Sequence, residues 1–378
     1  MIEVNGYCDN RFAPIKDVFK ENFISHGDVG ASVAVFRHGE PLIDLWGGHL
    51  DLDRTEPWSE NTLVNIWSTT KGVTATCFAM AVDRGALAYE DKVAKYWPEF
   101  GVAGKDSVTV AMLLSHQAGL CGFKDPAALE DFFDIDTAAA KLAAAEPFWT
   151  PGTQSGYHAV TMGVLASKLL QLAEGRTVAQ FVDDELRKGM GLDIFIGAPE
   201  SERSRVSNIL ASPDVELDDH LPTPNAVQIA ALANPPLEPA IANLSEWRAA
   251  EIPSGNGHAT AQSLAKLYSA LASDGAIEGR SIASMETIKQ AISPQIEGVD
   301  AVLSIPTRWG CGFMLNSDGL YGTSPGAFGH SGWGGSFAFG DPGTGLGIAY
   351  TMNHMGAELA GDPRSVALVE AVYSVEAR

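Results

Sequence analysis

A serine and a lysine three residues apart carry the strongest chemical signal of the sequence. In the segment STTK, Ser68 and Lys71 would lie one turn apart on the same face of a helix. A serine hydroxyl becomes an effective nucleophile when a neighbouring base takes its proton. A lysine can be that base if burial lowers its pKa, because desolvation disfavours the ammonium form. The spacing therefore predicts a serine nucleophile activated by lysine. The alternative is an N-cap serine beside a surface lysine.

The same spacing occurs a second time, at Ser263 and Lys266, so the surrounding sequence has to separate the two pairs. The second pair flanks a stripe of apolar residues at helical spacing, which predicts a solvated helix face. The helix predicted over 69–83 instead has apolar or small residues on nearly every side, yet it opens with Ser68 and Lys71. Lysine is rarely buried without a partner or a role. The context therefore favours the first pair as the chemical one.

The elements that must position this pair follow a simple order, with strand patterns near both ends of the chain and helical patterns between them. The predicted strands are 31–37, 42–48, 309–315, 326–340 and 345–353, and the predicted helices are 14–26, 69–83, 126–145, 158–173, 260–273 and 363–376. We expect an α/β fold in which one antiparallel sheet takes strands from both termini, is flanked by helices and carries an inserted, mainly helical lobe. The predicted α/β lobe comprises residues 1–80 and 210–378, and the helical lobe comprises residues 81–209.

The overall composition excludes several classes of protein. Of the 378 residues, 46% are hydrophobic and 19% are charged, which is typical of a chain with a large core and not of a disordered one. The net charge of −22 repels phosphate backbones, so we expect no nucleic-acid partner. No apolar run reaches the ~18 residues of a membrane span, and the first twelve residues show no leader pattern. Residues 211–255 are irregular, with an acidic patch at Glu216, Asp218 and Asp219. We expect a soluble, cytoplasmic protein without membrane association.

Motifs for metals and cofactors do not appear in the sequence. The four cysteines are far apart, and no two of the nine histidines have HExxH spacing. Neither a P-loop nor a dinucleotide-binding glycine motif occurs. The string nearest to the GxSxG elbow of α/β-hydrolases, at 329–333, ends in Trp333 where that elbow has glycine. We therefore expect no metal, no cofactor and reduced cysteines.

Four motifs in the same order resemble the serine beta-lactamase and penicillin-binding-protein superfamily. They are STTK at 68–71, LLSHQAGL at 113–120, GYHA at 156–159, and HSG followed by WGG at 330–335. The resemblance extends from about residue 15 to about residue 375. Within the superfamily, the sequence is most similar to class C beta-lactamases and to their relatives, the family VIII carboxylesterases. It implies the beta-lactamase/transpeptidase fold, with the site in a cleft between two lobes.

The resemblance also implies a role for each site residue. Ser68 would be the nucleophile, and Lys71 and Tyr157 would be a proton-transfer pair. Which of the two is the base stays open, because coupled groups titrate together. The backbone N–H groups of Ser68 and Trp333 would stabilise the oxyanion, and the Trp333 ring would line the pocket. The remaining implied substrate-binding residues are His330, Ser331 and Gly332.

Two departures from the beta-lactamase pattern favour an esterase. Ala159 occupies the position of an asparagine that hydrogen-bonds the lactam amide, and His330 that of a lysine that helps to hold the carboxylate. Alanine has no side-chain donor, and histidine is mostly neutral at pH 7. We therefore expect a serine carboxylesterase that hydrolyses short-chain, small-molecule esters through an acyl-enzyme on Ser68. The alternatives are a beta-lactamase or D-alanyl peptidase, and a non-catalytic binding protein of the same fold.

Overall fold

The structure is a computed structural model that describes residues 2–212 and 223–377. The acidic patch predicted within 211–255 lies outside the described residues.

Fourteen strands form three antiparallel sheets within the described residues. The strands are β1 Val4–Cys8, β2 Gly30–Arg37, β3 Glu40–Gly48, β4 Val64–Asn65, β5 Ile194–Ile196, β6 Gly257–Ala259, β7 Ala276–Ile277, β8 Arg280–Ser281, β9 Ile296–Val299, β10 Pro306–Trp309, β11 Met314–Leu315, β12 Phe328–Ser331, β13 Phe337–Asp341 and β14 Leu346–Met352. The largest sheet has nine strands in the order β1-β3-β2-β14-β13-β12-β11-β10-β9. Strands β4, β6 and β5 form the second sheet, and β7 and β8 form the third.

Twelve α-helices surround these sheets in the described part of the chain. They are α1 Ala13–Ser25, α2 Thr70–Asp83, α3 Val93–Tyr96, α4 Val110–Leu114, α5 Ile135–Ala144, α6 Thr161–Glu174, α7 Val178–Phe181, α8 Ala226–Leu232, α9 Ser245–Ala249, α10 Ala261–Leu271, α11 Met285–Ala291 and α12 Pro363–Glu376. Among these helices, none combines the length and the apolar character that crossing a membrane requires.

The nine-stranded sheet joins the two ends of the chain. β2 and β3 form an antiparallel hairpin near the N-terminus, and β13 and β14 form another near the C-terminus. β2 pairs antiparallel with β14, which brings N-terminal and C-terminal strands side by side at the centre of the sheet. The expected antiparallel sheet made from both termini is confirmed. The sequence pattern does not predict β1, which pairs with β3 at the edge.

Helices cover both faces of this sheet because its central strands are apolar on both sides. Every residue of β14 is buried, as is all of β2 except its last residue. On one face α10 packs so closely that a Cβ on Gly347 would overlap the backbone carbonyl of Ala265. On the other face, Asp28 links the sheet to α12. Its carboxylate accepts hydrogen bonds from Tyr350 of β14 and from Arg364 of α12.

Helix α2 is buried along nearly its whole length, as its sequence predicts. Residues 70–81 are all buried, since their side chains are apolar or small on every side of the helix. α2 packs against α6, α7, α11 and β12. These contacts hold the beginning of α2 where the large sheet meets the helices. The division into lobes at residues 80 and 210 remains a prediction.

Candidate active site

Ser68 lies in a tight turn between β4 and the first residue of α2. The backbone N–H of Thr69 donates to the Ile66 carbonyl at 3.1 Å, and that of Thr70 donates to the Trp67 carbonyl at 3.0 Å. Within this turn Trp67 has a φ of 46°, in the left-handed region that is rare for a bulky residue. The turn leaves the Ser68 hydroxyl half-buried at the floor of a cavity.

The structure brings together Ser68, Lys71 and Tyr157, the three residues predicted to take part in catalysis. The Lys71 Nζ lies 3.1 Å from the Ser68 Oγ, and the Tyr157 hydroxyl donates to the same Oγ at 2.6 Å. The Lys71 Nζ also lies 4.7 Å from the centre of the Tyr157 ring. A serine hydroxyl in contact with an amine and a phenol is chemically suited to acyl transfer.

The surroundings of Lys71 favour a neutral amine. The side chain is fully buried, and Nζ donates to the backbone carbonyls of Ala159 at 2.7 Å and Ser254 at 2.9 Å. Among the described residues no carboxylate pairs with it, and burial holds the pKa of Lys71 well below its ordinary value. A neutral amine has two N–H groups and one lone pair. In this form the two carbonyls would accept both N–H groups, and the lone pair would face the Ser68 hydroxyl.

Ring stacking and a backbone hydrogen bond to a buried carboxylate fix the position of Tyr157. Its ring stacks on Trp309, with centroids 5.9 Å apart and planes 15° apart. Its backbone N–H donates to the Asp300 Oδ1 at 2.9 Å, and the same oxygen accepts the N–H groups of Val302 and Leu303. Burial raises the pKa of the Tyr157 hydroxyl, and the hydrogen bond to Ser68 opposes this only in part. Tyr157 is therefore a protonated phenol that donates to Ser68.

The end of β12 supplies two backbone features beside Ser68. A Cβ on Gly332 would overlap the Ile66 carbonyl oxygen and the Ser336 hydroxyl, so only glycine lets this strand approach the Ser68 turn so closely. Within residues 2–212 and 223–377, neither the N–H of Ser68 nor that of Trp333 donates to a protein acceptor. Two free N–H groups on facing segments are what an oxyanion hole needs.

His330 lies closer than the Ser331 side chain to the cluster of Ser68, Lys71 and Tyr157. His330 is buried, and its Nδ1 donates to the Ser331 carbonyl at 2.8 Å, which leaves Nε2 unprotonated. Burial lowers the pKa of His330 to about 3, so the ring is neutral beside Tyr157. The Ser331 hydroxyl instead lies 3.3 Å from the Tyr321 hydroxyl and lines a separate small cavity. The structure brings His330 to the site, but not the Ser331 side chain.

The second serine–lysine pair has a structural role, and the prediction of a solvated face is wrong for its serine. Ser263 is only 5% exposed, and its hydroxyl accepts the backbone N–H of Asp193 at 2.8 Å. Lys266 makes an ion pair with Glu278 at 2.6 Å. The first residues of α10 pack against the segment before β5, which buries a face that the helical pattern leaves polar.

The cavity above Ser68 is apolar except at its catalytic end. It has a volume of about 260 Å³. It is lined by Trp67, Ser68, Cys121, Gly122, Phe132, Tyr157, Ala159, Val160, Thr161, Ala230, Ala231, Leu232, Asn234, Pro235, Leu237, Trp247, Ser254, Gly255, Trp333 and Leu359. None of these described lining residues carries a charge.

Other than those of Ser68 and Tyr157, the hydroxyl and amide side chains of this lining form hydrogen bonds within the protein. The Thr161 hydroxyl donates to the Leu120 carbonyl at 2.7 Å, and the Ser254 hydroxyl donates to the Val160 carbonyl at 2.7 Å. The Asn234 amide donates to two backbone carbonyls and accepts one backbone N–H. Among the hydroxyl and amide side chains of the lining, only those of Ser68 and Tyr157 are therefore available to a ligand.

Comparison with known proteins identifies the family of this chain. Residues 15–371 match the protein-family model described as beta-lactamase. The chain belongs to the beta-lactamase family. It is 33% identical over 369 residues to the esterase/beta-lactamase LipL of Mycobacterium tuberculosis, covering 93% of this chain and 83% of that protein.

Solved structures agree with this assignment. A family VIII carboxylesterase is 42% identical, with a TM-score of 0.93 over 99% of this chain and 100% of that chain. A penicillin-binding protein homologue from Caulobacter crescentus is 44% identical, with a TM-score of 0.93 and the same coverage. The predicted family and fold are confirmed, and the chain is a hydrolase of the beta-lactamase fold.

Several groups at the site have no signature in the sequence. Ala159 and Ser254 contact Lys71 through backbone carbonyls, which any residue type could supply. Asp300 is an isolated carboxylate that bonds only to backbone N–H groups. Trp67 and Trp247 line the cavity. The sequence shows that both are tryptophans, but only the tertiary fold shows that they line the same cavity.

Proposed function

We propose that this protein is a serine carboxylesterase that hydrolyses short, uncharged esters through an acyl-enzyme on Ser68. The observation that carries this proposal is the cavity above the nucleophile. Ser68, Tyr157 and the two free N–H groups place hydrogen-bonding groups at one end of it, and its other described lining residues are uncharged and mostly apolar. Such a cavity suits a substrate whose single polar part is the carbonyl group that reacts.

In the proposed acylation, the Ser68 Oγ attacks the ester carbonyl carbon while its proton passes to the lone pair of Lys71. The N–H groups of Ser68 and Trp333 stabilise the negative charge that develops on the carbonyl oxygen. When the tetrahedral intermediate collapses, the departing alkoxide takes the proton of the Tyr157 hydroxyl. The proton held by Lys71 then returns to Tyr157, so both groups end neutral. Deacylation follows the same steps in reverse, with water in the place of the alcohol.

The same observations argue against a beta-lactam or D-alanyl peptide substrate. Both carry a carboxylate, and the cavity lining has no cation among the described residues. His330 is neutral because burial lowers its pKa to about 3. The residue at position 159 contributes only a carbonyl oxygen, which already accepts from Lys71. Two lost polar contacts at ~1.5–3 kcal/mol each, ~3–6 kcal/mol together, correspond to a loss of ~10²–10⁴ in kcat/KM.

The first test removes the proposed nucleophile. Ser68→Ala should abolish hydrolysis of p-nitrophenyl acetate and butyrate, with a loss on the order of 10⁶ in kcat. The matched control is Ser263→Ala, which removes the serine of the other pair and should retain activity, although its buried hydrogen bond to Asp193 contributes to stability. If Ser68→Ala keeps more than about one hundredth of wild-type activity, Ser68 is not the nucleophile.

The second test is specificity. We expect kcat/KM for p-nitrophenyl acetate or butyrate to exceed that for any penicillin or cephalosporin by ~10²–10⁴. A chromogenic cephalosporin, a D-alanyl-D-alanine peptide and a fluorescent penicillin assayed in parallel separate the alternatives. Equal turnover of the cephalosporin would favour a beta-lactamase, and stable penicillin labelling with peptide cleavage would favour a peptidase. No turnover of any substrate would favour a binding protein.

A further inference from the structure

Three tryptophans from distant parts of the chain meet in the wall of the cavity. The Trp67 ring lies 5.8 Å from the Trp247 ring and 5.1 Å from the Trp333 ring, measured between centroids. All three line the cavity above Ser68. Trp67 and Trp247 are only 3% and 1% exposed, and Trp333 is half-buried. The wall is therefore a continuous aromatic surface and not a scatter of apolar side chains.

The backbone of Trp67 suggests that its indole ring is placed for a purpose. A φ of 46° is unfavourable for a bulky residue, and glycine would adopt it without steric cost. The indole N–H of Trp247 donates to Asn65, but that of Trp67 has no partner among the described residues. No hydrogen bond of the side chain therefore compensates for the backbone conformation. This backbone conformation belongs to the Ser68 turn, and it places the Trp67 ring in the wall of the cavity.

The position of Tyr157 decides which part of an ester faces this wall. The aromatic neighbours of the Tyr157 ring are His116, Trp309 and His330, and none of the three cavity tryptophans is among them. The departing alkoxide must lie at the Tyr157 hydroxyl to receive its proton. The acyl substituent leaves the same carbonyl carbon in another direction, and the three tryptophans are lining residues that it can contact there.

We propose that Trp67, Trp247 and Trp333 form an aromatic subsite that selects esters whose acyl group carries a flat ring. This inference rests on the proposed function, because it assigns the acyl side of the same cavity. Aromatic rings bind to one another more favourably than their buried area alone accounts for. We therefore expect a preference of about threefold to tenfold for an aromatic over a saturated acyl ring of the same size. Trp67 determines this specificity without taking part in the proton transfers.

The test compares p-nitrophenyl phenylacetate with p-nitrophenyl cyclohexylacetate, each corrected for its rate of alkaline hydrolysis. The readout is the ratio of the two kcat/KM values, which is independent of how much overall activity a variant loses. Wild type should prefer the phenyl ester, Trp67→Phe should keep part of the preference, and Trp67→Leu should lose it. Trp67→Gly should also lose it, and glycine accepts the φ of this position, so this variant covers the case in which leucine prevents folding. The matched control Trp46→Leu, in β3 outside the cavity, should leave the ratio unchanged.

A binding measurement separates this proposal from the proposed function. Benzyl methyl ketone and cyclohexylmethyl methyl ketone keep the carbonyl and the ring but cannot be hydrolysed. Calorimetry should give tighter binding of the benzyl ketone to wild type and equal binding of both to Trp67→Gly. Equal affinities in wild type, or an unchanged ratio in Trp67→Gly, would overturn the aromatic subsite. Failure to hydrolyse any ester, with the ketone preference intact, would overturn the esterase and leave the subsite.

Discussion

Burial without a neighbouring carboxylate among the described residues favours the neutral form of Lys71. In this form two carbonyls would accept its two N–H groups. Lys71→Arg should therefore reduce kcat by ~10²–10⁴, because a guanidinium stays protonated and cannot accept the Ser68 proton. Raising the pH should not restore activity. Lys266→Arg, in the exposed ion pair of α10, is the matched control and should retain full activity. If the Lys71→Arg enzyme keeps more than about a tenth of wild-type kcat, Lys71 is not the base.

The same pKa shift has a consequence for stability. The folded state depresses the pKa of Lys71 below the ~10.4 of an unfolded lysine, so the unfolded chain binds more protons between those two values. The stability of wild type relative to Lys71→Met should therefore rise with pH across that window, by up to ~1.4 kcal/mol per pH unit, and level off above it. Denaturant unfolding of both proteins at several pH values measures this difference. A difference that does not change with pH would mean that Lys71 is charged in the folded protein.

Side-chain chemistry explains what could be predicted at the level of single residues. Ser68 and Lys71 were found because their residue types and spacing have chemical meaning, and Tyr157 was found through the family resemblance. The structure brings all three within hydrogen-bonding reach. The Ser254 carbonyl could not be found in this way, because backbone acceptors have no residue signature. Ser263 was placed on a solvated face because a helical pattern does not show which loop packs over it.

At the level of elements, the site depends on how closely β12 approaches the Ser68 turn. A Cβ on Gly332 would overlap the Ile66 carbonyl and Ser336, so Gly332→Ala should push the Trp333 N–H away from Ser68. Loss of one oxyanion donor typically lowers kcat by ~10²–10³, and we expect a loss of this size with KM nearly unchanged. Gly326→Ala is the matched control, because a Cβ there meets open space. Unchanged kcat in Gly332→Ala would exclude the Trp333 N–H as an oxyanion donor.

The elements themselves were predicted where their patterns were strong. β2, β3, the buried helix α2 and the C-terminal helix α12 coincide with distinct apolar segments of the sequence, and the structure contains all four. β1 was not predicted, because it is an exposed edge strand whose residues do not alternate between apolar and polar. The meeting of β12 with the Ser68 turn could not be predicted either, since it joins segments that lie far apart in the sequence.

For the whole molecule, four buried histidines make stability depend on pH. Burial is the largest cause of the shift in each case. It holds the pKa of His116 well below its ordinary value, and lowers the pKa of His158 to about 4 and those of His258 and His330 to about 3. An unfolded histidine has a pKa of ~6.5. The folded protein therefore binds fewer protons than the unfolded chain in mildly acidic solution. Their contribution to stability is complete above pH ~6.5 and is lost as the pH falls from there toward the folded values.

This difference in proton binding predicts a steep acid transition. If all four histidines stay neutral in the folded state, the free energy of unfolding should fall by up to ~5 kcal/mol per pH unit below pH ~6. His258 lies on β6, its Nδ1 donates to the Asn256 carbonyl at 2.9 Å, and it takes no part in the proposed chemistry. His258→Gln removes one titrating group and should reduce the slope by ~1.4 kcal/mol per pH unit. His26→Gln, at an exposed position after α1, is the control and should leave the slope unchanged. Urea unfolding between pH ~4.5 and ~6.5 measures the slope, and a free energy that stays constant over this range would mean that the buried rings accept protons without unfolding.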